Sequence, residues 1–210
     1  MTLPLRRLVL LALLPLALAG CRPRASSTTS LPASGELDAF EDGNMESSAG
    51  TTWTAIFEGG EGVNASVGVA PDGFHSKGYH LVVSGFKPPD TPAALMGARA
   101  ALAAQEGGVE AGVDVAGSGF TKLALAVKGT PGTYVVQLGV DQPGGQTLPY
   151  NAYVEAGTEW TEFIVPLADF KYDSGPAVQP WAGGAVRYVA VYAAGSGDLT
   201  FELDDVRFVK

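Results

Sequence analysis

The chain has 210 residues, with 13 basic and 22 acidic side chains, 28 glycines, 14 prolines and a single cysteine. A net charge of −9 excludes the attraction to phosphate backbones on which nucleic-acid binding depends, and the abundance of Gly and Pro excludes a mainly helical domain. One cysteine leaves no disulfide framework, so the core rests on apolar packing, which suffices because a domain of ~150 residues buries roughly two-thirds of its unfolded surface.

In chain order, Met1 to Arg7 is short and positive, Leu8 to Leu18 is an apolar run of eleven residues broken only by Pro15, and Ala19 and Gly20 are small. That is the layout of a secretory signal over residues 1–20, since the run falls short of the ~20 apolar residues of a spanning helix. Leu18-Ala-Gly-Cys21 resembles the bacterial lipobox at all four positions. The resemblance implies lipidation of Cys21 with diacylglycerol, cleavage just before it, and a further acyl chain such as palmitate on the new amino terminus. Arg22, where an Asp is lacking, resembles lipoproteins sent on to the outer membrane, so the implied location is the cell envelope. Without its first twenty residues the chain keeps 11 basic against 22 acidic residues, a charge of −11. Residues 21–36, rich in Ser, Thr and Pro, are expected to form the lipidated cysteine and a flexible tether, standing the domain very roughly 20 Å off the membrane.

From Leu37 to Lys210 short alternating runs are divided by Gly, Pro, Asn and Asp, the pattern of strands and turns. Strands are expected at 37–41, 52–58, 64–69, 79–85, 98–104, 121–128, 134–141, 150–155, 162–166, 186–193 and 199–209. Thr91 to Gln105 is ambiguous: its alanines favour helix by propensity, its periodicity favours neither, and its second half is taken as strand. In Tyr134–Asp141 one face is Tyr134, Val136, Leu138 and Val140, and the other Val135, Gln137, Gly139 and Asp141, which places Gln137 and Asp141 outside a packed sheet. By the same parity Asn151, Tyr153 and Glu155 share a face, as do Tyr188, Ala190 and Tyr192. Trp53 and Trp160 are read as core.

Four segments carry a wider resemblance. Leu37-Asp-Ala-Phe-Glu-Asp-Gly-Asn44 is similar to an opening strand with an acidic turn, and Gly78-Tyr-His-Leu-Val-Val-Ser-Gly85 to a glycine-led strand. Val113 to Gly129 is similar to an aspartate turn entering a central strand, and Glu159 to Phe170 with Phe201 to Phe208 resembles a closing pair. In this order they resemble the superfamily of family 11 carbohydrate-binding modules and the complex I intermediate-associated protein domain, which implies an all-β fold, a galactose-binding-domain-like β-sandwich jelly roll over 37–210. The implied activity is non-catalytic carbohydrate binding on a concave sheet, with a polysaccharide or oligosaccharide as partner. The ligand-binding residues expected first are Tyr153, Tyr192, Gln137, Asp141, Tyr150 and Arg187; Tyr79, Tyr188, Trp181 and His80 form a wider pool. The small residues Gly139, Ala152 and Ala190, assigned to the outer positions, would make a weak sugar platform and keep open a protein partner in envelope assembly. The resemblance also implies a structural calcium at Glu41 and Asp204, against a plain reading of Asp42-Gly43-Asn44 as a turn and Asp205 as a solvated strand-end acid.

An enzyme is not expected. His75 and His80 are the only histidines and lack metal-ligand spacing. The chain has no Gly-x-Ser-x-Gly elbow, no His-Glu-x-x-His motif and no phosphate loop, and Gly117-Ser-Gly119 and Gly195-Ser-Gly197 read as turns.

Overall fold

The computed structural model describes residues 29–76, 78–105, 109–172 and 179–210; the expected signal sequence, Cys21 and the first part of the tether lie outside the described residues. Among the described residues sixteen strands follow in chain order: β1 (Thr29–Ser30), β2 (Glu36–Asp38), β3 (Thr54–Glu58), β4 (Asn64–Pro71), β5 (Tyr79–Lys87), β6 (Leu95–Ala101), β7 (Ala103–Gln105), β8 (Val109–Glu110), β9 (Lys122–Gly129), β10 (Gly132–Asp141), β11 (Thr147–Ala156), β12 (Thr161–Pro166), β13 (Lys171–Tyr172), β14 (Gln179–Pro180), β15 (Val186–Ala193) and β16 (Gly197–Val209). Two 3-10 turns, Phe74–Ser76 and Leu167–Asp169, are the only helical pieces among the described residues.

The strands stack as a sandwich. One sheet runs β14-β13-β11-β10-β15-β6-β3, the other β12-β9-β16-β5-β4 with β2 on β16, and a small third sheet joins β1-β7-β8. Alternation decides which residues enter the space between them. Tyr134, Val136, Leu138 and Val140 of β10 are buried, facing a core that includes Phe201, Leu203 and Phe208 of β16. The expected parity of Tyr134–Asp141 therefore holds.

The alanine-rich segment is strand, not helix. Gly97, Ala98, Ala100 and Ala101 sit in β6 between β15 and β3, where propensity is overridden by ladder pairing on both edges. Small residues suit it because a Cβ on Gly97 would lie 2.0 Å from the Val191 carbonyl oxygen and 2.9 Å from Tyr192 Cδ1.

Residues 29–31 of the expected tether are paired or buried. Thr29 and Ser30 pair with Ala104 and Ala103, the Leu31 amide donates to the Leu102 carbonyl, and the Leu31 side chain is buried in the core cluster. The backbone edge of β7 offers this polar segment hydrogen bonds that its composition does not advertise. Trp53 is core as expected, whereas Trp160 is half-buried. Lys128 Nζ stands 4.8 Å from the Trp160 ring centroid, and the His80 ring meets it edge-on at 5.6 Å.

Candidate binding groove on the seven-stranded sheet

The outward face of the larger sheet is built from strand register. Thr54 lies beside Arg99, Arg99 beside Ala190, Ala190 beside Gln137 and Gln137 beside Asn151, so one row crosses β3, β6, β15, β10 and β11. In the flanking rows Tyr192 pairs with Gly97 and Val135, and Tyr188 with Ala101 and Gly139. A β-bulge helps: Gly139 pairs with Tyr188 but Val140 with Val186, leaving Arg187 as an extra residue on β15.

Gln137 is the hub of this face. Its amide Nε2 donates to Asn151 Oδ1 (2.9 Å), and its Oε1 accepts the hydroxyls of Tyr188 (3.0 Å) and Tyr192 (3.3 Å). Gln137 and Tyr192 are both buried, 7% and 4% exposed, so the amide orients the rings within the floor. Glycine gives one ring its seat, since a Cβ at Gly139 would fall 2.1 Å from Tyr188 Cε1. Burial pushes both tyrosine hydroxyls above the ordinary phenol range, so they remain neutral donors. A cavity of about 470 Å³ opens over this floor, walled by β3 from Thr54 to Glu58 and by Leu95, Arg99 and Pro149.

The six expected ligand-binding residues divide. Tyr192 and Gln137 line this cavity. Tyr153 shares the outward face and is 60% exposed, but it lines a neighbouring, more apolar cavity of about 630 Å³ with Phe163, Ile164 and Lys171. Asp141 and Arg187 are consumed by each other: Nε and Nη2 reach Oδ1 and Oδ2 at 2.8 and 3.1 Å, Thr147 donates to Oδ1, and neither residue lines the cavity. This bidentate hydrogen bond also holds the guanidinium above its ordinary pKa.

Tyr150 is a correction. It points inward, is 7% exposed and packs near Tyr172 with ring centroids 6.0 Å apart, because it alternates with Asn151 and Tyr153 and so falls on the core face. Ala152 is likewise inward and takes no part in the platform, and Trp181 is buried in the core. The sequence reading missed Arg99, which lay in the ambiguous alanine-rich segment; in β6 Arg99 is the single large polar group.

The two expected calcium ligands sit in different surroundings. Glu41 is exposed, while Asp204 is buried with Oδ2 accepting the Phe74 amide at 2.6 Å and Oδ1 the Asp205 amide at 2.7 Å. Asp38 is also buried and accepts the Phe40 amide at 2.8 Å and Trp53 Nε1 at 2.9 Å. Among the described residues no three His, Cys, Asp or Glu side chains are arranged to hold a metal ion. Burial raises Asp38 to about 7 and Asp204 to about 6, against amide hydrogen bonds that lower both.

His80 is buried, with Nε2 2.7 Å from Glu202 Oε2, and burial depresses its pKa although Glu202 opposes the shift. His75 is exposed in the 3-10 turn with φ 61°.

No family model and no curated protein matches the chain. Solved structures do. The family 11 carbohydrate-binding module of the cellulosomal cellulase Lic26A-Cel5E of Clostridium thermocellum is similar with a TM-score of 0.60 at 16% identity, over 83% of this chain and 92% of that one. A family 11 module from the same organism, in complex with a β-1,3-1,4-mixed-linked tetrasaccharide, is similar at 0.56 and 15% identity, over 75% and 88%. The CBM22-1 xylan-binding domain of Paenibacillus barcinonensis Xyn10C is similar at 0.50 and 16% identity, over 82% and 92%. At such identities the likeness is one of fold, and the chain is a β-sandwich of the jelly-roll type found in these carbohydrate-binding modules.

Proposed function

We propose that the chain is a non-catalytic carbohydrate-binding lipoprotein, with a neutral glycan seated on the outward face of the seven-stranded sheet and Cys21 as the lipid anchor. The observation that carries this reading is the floor of that face, where Tyr188 and Tyr192 are tied to one buried amide beside the open wall of β3, apolar at Ala55 to Phe57 with Thr54 and Glu58 at its ends. Flat rings with a few placed polar groups are what a sugar requires, apolar contact for its carbon–hydrogen faces and hydrogen bonds for its hydroxyls. The fold neighbours in complex with a mixed-linked tetrasaccharide and named as xylan-binding give the first probes. Anchoring rests on the lipobox resemblance; seven residues, 22–28, separate Cys21 from β1, a reach of at most ~25 Å when extended.

The test is calorimetry of the full chain with the β-1,3-1,4-linked tetrasaccharide, xylo-oligosaccharides and a wider neutral panel. Saturable binding weakened roughly tenfold by Tyr188→Ala is expected, the loss of one stacked ring. A flat panel removes the sugar reading.

A second reading, an envelope protein that docks a protein partner, is favoured by one observation: Tyr153 and Ile164, 60% and 57% exposed, meet across the apolar cavity between β11 and β12. Binding of sugars that survives Tyr188→Ala but fails in Tyr153→Ala would move the site to that strip.

A further inference from the structure

The groove is crossed at one point by a guanidinium. Arg99 and Thr54 border two hollows: the cavity of about 470 Å³ toward Glu58 and Leu95, and a smaller one of about 280 Å³ toward Thr51, Thr52 and Glu110. Arg99 Cζ stands over the Tyr188 ring, 5.0 Å from its centroid, and Nη2 lies 2.6 Å from Glu110 Oε1. One face of that ring is already taken by the Gly139 backbone, which tolerates no Cβ beneath it. The guanidinium therefore occupies the remaining place from which a sugar ring stacks on Tyr188. Its ion pair is a modest restraint, because both side chains are about a third exposed and such pairs contribute little in water. Stacking over a tyrosine adds a second modest term.

We propose that Arg99 and Glu110 determine the specificity of the groove. The pair holds the guanidinium over Tyr188 and between the two hollows, and a neutral glycan takes that position only by moving it aside. Chains long enough to enter both hollows gain contacts on either side of Arg99 and displace it; single sugars gain too little. Acidic glycans are disfavoured by Glu58 and Glu110 at either end of the path and by the acidity of the whole chain. The choice of ligand rests on the carbohydrate reading above, whereas the posture of the pair does not.

The experiment compares the full-length wild type with Glu110→Gln, which keeps the shape of the side chain and removes its charge. The probes are mixed-linked β-glucan oligosaccharides of two to six units, followed by calorimetry at low and high salt. The expected result is affinity about two- to fivefold higher in Glu110→Gln, and a rise with salt in the wild type that the variant lacks. The gain should be larger for short chains, which are least able to displace the pair. Equal or weaker binding by Glu110→Gln overturns the proposal, as does preferential binding of a uronate oligosaccharide included in the panel. If neither protein binds any glycan, the carbohydrate reading has failed and the pair is judged in the free protein by NMR. The Tyr188 ring and Arg99 Nε–H signals are then expected to move in Glu110→Gln, and unmoved signals overturn the proposal by themselves.

Discussion

Gln137 and Asp38 show how much single side chains decide here. Gln137 stands where strand alternation puts an outward polar group, yet its amide is spent on Asn151, Tyr188 and Tyr192, so it shapes the floor on which a ligand rests. Its outward parity was legible in the sequence; its three partners lie on β11 and β15, and which of them it meets is a matter of register. Asp38 is a buried carboxyl raised to about 7 mainly by burial, above its unfolded value of 3.8. A folded-state pKa raised in this way stabilises below the unfolded value and loses that contribution as pH rises through 7. Asp38→Asn removes the titration. In urea melts the wild type is expected to gain about 2–3 kcal/mol relative to Asp38→Asn between pH 8 and pH 5, at 1.36 kcal/mol per pKa unit. An unchanged difference across that range would show that Asp38 carries no such shift.

At the scale of elements, most of the expected strands are present, and the exceptions have identifiable causes. The alanine-rich run between Thr91 and Gln105 was undecidable from propensity because helix formers fill it, and only ladder pairing to β15 and β3 makes it β6. Arg99 was invisible as a site residue for the same reason. Composition marked Thr29 to Gly35 as tether, but β1 pairs with β7 and Leu31 enters the core. A chain lacking residues 22–36 is therefore expected to lose about 2 kcal/mol, the burial of one leucine, and to unfold at lower urea than the full chain. Equal midpoints would mean that β1 contributes nothing to the fold. The bulge at Gly139 and Val140 is a further feature that alternation alone does not foresee. It puts Arg187 and Tyr188 in succession on β15, one to be consumed by Asp141 and one to line the groove.

For the molecule as a whole, the sandwich leaves the outward face of its seven-stranded sheet as the candidate ligand surface and an apolar strip where β11 approaches β12. If Cys21 is the anchor, the short link to β1 keeps the domain close to its membrane. Cys21→Ala is expected to shift the protein from the membrane fraction to the soluble fraction without changing its melting temperature, because the cysteine precedes every described strand. Membrane association unaltered by that substitution would refute the anchor. Local pattern alone determined the all-β class, the inward and outward faces of β10 and the partly polar nature of its outer face, since each follows from hydropathy and a two-residue period. The tertiary structure decided which outward groups meet, which of them neutralise one another, that Tyr150 faces the core, that Arg99 stands over Tyr188 and that Asp204 is buried with its oxygens on the Phe74 and Asp205 amides. Those outcomes depend on register, a bulge and burial between segments distant in the chain, and no local window of residues contains them.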